Sequence, residues 1–132
     1  EGKNAKVAVL TLGAIGNTVM EAIGLLGERL EAKGEEARIA HYDMRWLKPI
    51  DREVLDTVSK QYSTIITVED GVIQGGLGSA VAEYMGEKGQ RRVIRLGVDD
   101  QFVEHGSTKE LYQSLKLDKE GICESLLQAL EQ

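Results

Sequence analysis

In 132 residues this sequence has one cysteine, one proline, one tryptophan and one phenylalanine. The lone Cys123 cannot close an internal disulfide and has no metal-ligand neighbours, which suits a reducing compartment. Aromatic residues make up 5% of the chain, too little for base-stacking or sugar-binding platforms. Basic residues are fewer than acidic ones, 16 against 22, so the basic face of a general nucleic-acid binder is missing. No apolar run approaches the roughly 18 residues of a membrane-spanning helix. The opening EGKNAK lacks the apolar core of a signal peptide. These features point to a cytoplasmic protein that engages neither membrane nor nucleic acid. The chain does not begin with methionine, which favours an excised piece of something longer, folded as one domain over residues 1–132.

What is present is a regular alternation of strand and helix patterns. KVAVLTL (Lys6–Leu12) is short, β-branched and a nearly unbroken apolar run, as a buried parallel strand is. From Asn17 to Lys33, Val19, Ile23, Leu26 and Leu30 share one helical face. Gly24 and Gly27 weaken that helix by about 1 kcal/mol each, and close packing on a sheet is the expected reason. Gly34 is placed for a left-handed helix end. EARIAHY (Glu36–Tyr42) alternates as a less buried edge strand does. Asp51 is positioned to cap a helix running to Lys60, with Val54, Leu55 and Val58 inward. STIITVE (Ser63–Glu69) reads as a second central strand, Ser79–Glu87 as a helix and RRVIRLG (Arg91–Gly97) as a fourth strand. In the tail, Ser107–Glu110 forms a capping box. Asp118 can cap a last helix with the stripe Ile122, Leu126 and Leu130. The order β-α-β-α-β-α-β-α-α predicts an α/β fold: a three-layer α/β/α sandwich with a mainly parallel sheet in the order 2-1-3-4.

Two glycine loops would then lie at the carboxyl edge of the sheet, where open α/β sheets bind ligands. The first carries Gly13, Gly16 and Asn17; the second carries Gly75, Gly76, Gly78 and Ser79 after Glu69 and Asp70. Neither is a complete nucleotide motif: the first is G-x-x-G, and the second has no following lysine. Backbone N–H groups at a helix start can hold an anion, but Glu69 and Asp70 at the mouth would repel phosphate. Neighbouring residues at a strand end point to opposite sides, so these acids form no ready catalytic pair. The expectation is that one caps the turn and the other pairs with an arginine such as Arg45. His41 and His105 read as surface or capping residues, and Cys123 as a packing residue. Trp46, beside Met44 and Leu47, is either tucked core or a docking patch. The residues supply no catalytic set and no metal set. A free-standing small-anion or nucleotide-binding module of flavodoxin-like type remains an alternative.

Four stretches in order carry a family resemblance: the first strand ending at Gly13, DMRWLKPID (Asp43–Asp51), VEDGVIQGGLGSAV (Val68–Val81) and LGVDDQFVEHGSTKEL (Leu96–Leu111). From about Lys6 to Leu130 the chain resembles the C-terminal domain of the transketolase superfamily. Its tail, with Asp99, Phe102, His105 and LDKEGI (Leu117–Ile122), is most similar to that of the 1-deoxy-D-xylulose-5-phosphate synthases. A transketolase or the β subunit of a 2-oxo-acid dehydrogenase is the other reading within the superfamily. The resemblance implies a thiamine-diphosphate and magnesium enzyme that joins pyruvate to glyceraldehyde 3-phosphate in isoprenoid precursor synthesis. It places cofactor and metal between two domains outside this sequence, so no cofactor-binding or catalytic residue is carried over. It implies partners in the N-terminal and middle domains and in a second subunit of a homodimer. Arg45, Trp46, Asp99, Phe102 and His105 are candidate contacts. The glycine loops then serve a tight turn and an interdomain contact. The superfamily pattern also implies an extra antiparallel strand before Lys6, whose absence would leave the edge at Ala37–Tyr42 unpaired.

Overall fold

A computed structural model describes residues 7–13, 15–35, 39–44, 52–72, 76–87, 92–98 and 117–130. Their elements are β1 (Val7–Leu12), α1 (Ile15–Ala32), β2 (Ile39–Asp43), α2 (Arg52–Gln61), β3 (Thr64–Val72), α3 (Leu77–Glu87), β4 (Arg92–Val98) and α4 (Lys119–Leu130). All four strands are parallel, in the order β2-β1-β3-β4. The α/β fold and strand order therefore agree with the sequence reading.

Burial explains which strands are central. Val7, Ala8, Val9 and Leu10 of β1 and Ile65, Ile66 and Val68 of β3 are all fully buried, because helices cover both faces. On one face, Val7, Val9, Ile66 and Val68 join Val19, Ala22 and Leu26 of α1 and Ile122, Cys123 and Leu126 of α4. On the other, Ala8, Leu10 and Ile65 join Leu55 and Val58 of α2 and Leu77, Val81 and Met85 of α3. Truncating one of the fully buried leucines or isoleucines to alanine costs about 2–5 kcal/mol. At the edges, Ile39, His41 and Tyr42 of β2 and Val93, Ile94 and Leu96 of β4 are half-buried, and Arg95 is exposed. No helix among the described residues is long and apolar enough to cross a membrane.

Several local expectations need correction. Helix α1 begins at Ile15, two residues before the expected Asn17. The turn before it is therefore short, and Gly13 closes it with φ 97°. Gly24 and Gly27 do not pack closely on the sheet; a Cβ built on either meets nothing within 4 Å. Strand β3 continues past Glu69 to Val72, with a register shift between them. Helix α3 starts at Leu77 rather than Ser79. The stripe Ile122, Leu126 and Leu130 of α4 does face the core, with Leu130 half-buried against it and Ala129 added to it. Gly34 does take the left-handed conformation, with φ 75°. Asp118 caps α4 by accepting from Gly121 N at 2.9 Å. Asp51, the capping box at Ser107–Glu110, Gly75, Arg45, Trp46, Asp99, Phe102 and His105 lie outside the described residues.

Candidate functional site

Because β1 and β3 are parallel, the loops that follow them leave the same carboxyl edge, and the reversal of winding between them sends α1 and α3 to opposite faces. The register pairs Leu12, just before the first glycine turn, with Glu69 of β3. This is where the topology favours a ligand.

The second turn is filled by the chain itself. Helix α3 has no acidic residue in its first turn, and Gly76 before it offers no capping side chain. The cap comes from β3. Glu69 is only 4% exposed; its Oε1 accepts from Leu77 N and its Oε2 from Gly78 N, both at 2.8 Å. Two N–H groups that the helix start would otherwise leave unpaired are thus satisfied by one carboxylate. The charge also lies at the positive end of the helix dipole. A phosphate would have to occupy that same seat.

The glycines follow from this arrangement. A Cβ on Gly76 would overlap the Glu69 carboxylate. A Cβ on Gly78 would lie 2.7 Å from Arg95 Nε and 3.2 Å from Thr67 Oγ1. The buried, doubly bonded Glu69 therefore favours glycine at 76, whereas at 78 the exposed Arg95 side chain would have to shift. Arg95 reaches across from β4 and donates from Nη2 to Ser79 Oγ at 2.9 Å. Thr67 Oγ1 is buried beneath this turn with no hydrogen-bond partner among the described residues. Of the sequence candidates, Glu69, Gly76, Gly78 and Ser79 are brought together here. The side chain of Asp70 is not among those described.

At the first turn, Gly16 N donates to Gly13 O at 3.1 Å. A Cβ on Gly16 would stand 3.1 Å from Thr11 Oγ1, and that hydroxyl pairs with His41 Nε2 at 2.9 Å. The sequence reading gave His41 as a surface or capping residue; it is half-buried and tied to β1. Burial holds its pKa below the usual imidazole value, with Asp43 opposing. Thr11 is fully buried, so this His/Thr pair presents no accessible nucleophile. Asn17 is exposed on the first turn of α1.

Cys123 packs between helices, as its sequence context suggests, and burial pushes its thiol above the usual value. Arg29 Nη1 lies 3.8 Å from its sulfur, and Nη2 pairs with Glu120 Oε1 at 2.7 Å. Nothing in the sequence signals this contact across 91 positions. Among the described residues no three His, Cys, Asp or Glu side chains are grouped to hold a metal.

The chain matches the family "Transketolase, C-terminal domain" over residues 1–122. It belongs to that family. Among curated relatives, the 1-deoxy-D-xylulose-5-phosphate synthase of Parabacteroides distasonis is 50% identical over 121 residues, which cover 91% of this chain and 18% of the relative. The synthase of Phocaeicola vulgatus is 44% identical over 129 residues, 96% of this chain and 19% of the relative. A solved structure described as a split gene transketolase, inactive beta4 tetramer, superposes with a TM-score of 0.76 at 35% identity. It covers 99% of this chain and 40% of its own. This transketolase C-terminal domain therefore spans about a fifth of the length of the synthases it matches. At the second of the two glycine turns, the start of α3 is held by an internal carboxylate, that of Glu69.

Proposed function

We propose that this chain serves as the structural C-terminal domain of a 1-deoxy-D-xylulose-5-phosphate synthase, contacting the enzyme's other domains and its dimer partner, and is not catalytic by itself. The parent reaction would join pyruvate, after decarboxylation, to glyceraldehyde 3-phosphate, with thiamine diphosphate and magnesium held by the rest of the enzyme in the cytoplasm. The observation that carries this reading is the Glu69 carboxylate seated on Leu77 N and Gly78 N. It takes the helix start that a diphosphate would need. A diphosphate therefore does not fit the start of α3 while Glu69 occupies it. The described residues also bring no three His, Cys, Asp or Glu side chains together to hold a metal. The 40–50% identity to synthases over most of its length supports the synthase over a transketolase or dehydrogenase parent.

The test is complementation. A parent synthase lacking this domain should regain activity when the chain is added in trans, whereas the chain alone should turn over nothing. Activity of the truncated parent equal to that of the intact enzyme would remove the proposed role. An independent small-anion module is the competing reading, and it would require Glu69 to leave its seat.

A further inference from the structure

We draw no further inference here: the strongest candidate, the apolar cavity of about 290 Å³ between the C-terminal half of α1 and α4, lined by Leu26, Leu30, Cys123 and Leu127, has its Arg29 rim charge already paired with Glu120, and nothing in the structure shows what covers it.

Discussion

At the scale of the residue, Glu69 decides how the glycine turn is read. Its buried charge is held by two backbone donors, and hydrogen bonds to charged groups are worth about 1.5–3 kcal/mol each. Glu69→Ala should therefore destabilise the domain by about 2–4 kcal/mol in chemical denaturation. Glu69→Gln keeps one acceptor and should cost less. Gly76→Ala should also be severe, because its Cβ meets that carboxylate. Combined with Glu69→Ala, the loss should fall below the sum of the two single losses, since the colliding partner is gone. Additive losses would mean that Gly76 is needed for its backbone alone. The sequence shows an acid before a glycine-rich helix start and raises the possibility of a cap. It cannot show that the carboxylate reaches eight residues ahead, because that depends on how α3 settles on β3. His41 offers a second residue-scale test. Burial lowers its folded pKa, so the unfolded chain takes up the proton first as pH falls. The His41 contribution is full above its unfolded value near 6.5 and is lost below it. Denaturation midpoints at about pH 7.5 and about pH 5.5 should thus differ less in His41→Gln than in the parent. An unchanged pH slope would remove His41 as the cause.

At the scale of the element, the strands are the most legible part. Mainly apolar, β-branched runs in β1 and the first half of β3 mark the two central strands, and the alternation of β2 marks an edge. Helix α1 is the instructive failure. Gly24 and Gly27 suggest close packing, yet both face open space, near the exposed Met20 at 61%. Sequence spacing shows that they share a helix but not whether anything lies against it. Replacing either by alanine should stabilise the isolated chain by about 0.5–1 kcal/mol, read as a rise in thermal midpoint. A fall would show a close contact at that face. The pairing of α1 with α4 was equally hidden, because Arg29 and Glu120 are 91 positions apart. Their ion pair is well exposed, so Glu120→Gln should change stability by less than about 1 kcal/mol. Leu126→Ala, which opens the fully buried seam beneath it, should cost about 2–5 kcal/mol. The apolar seam, not the charges, then holds the last helix.

At the scale of the whole molecule, the sheet has β2 at one end, bonded on one side to β1. Its outer edge pairs with no other strand among the described residues. Such an edge is a template for another strand. The isolated chain should therefore associate with rising concentration in sedimentation, with amide protection growing along residues 39–43. A clean monomer with rapid exchange there would count against strand pairing. The proposed function rests on a ligand-like turn that is closed by its own carboxylate. Titration calorimetry of the 132-residue chain with thiamine diphosphate, magnesium and glyceraldehyde 3-phosphate tests it most directly. The account predicts no saturable heat at micromolar ligand. Stoichiometric micromolar binding of any of them would contradict it.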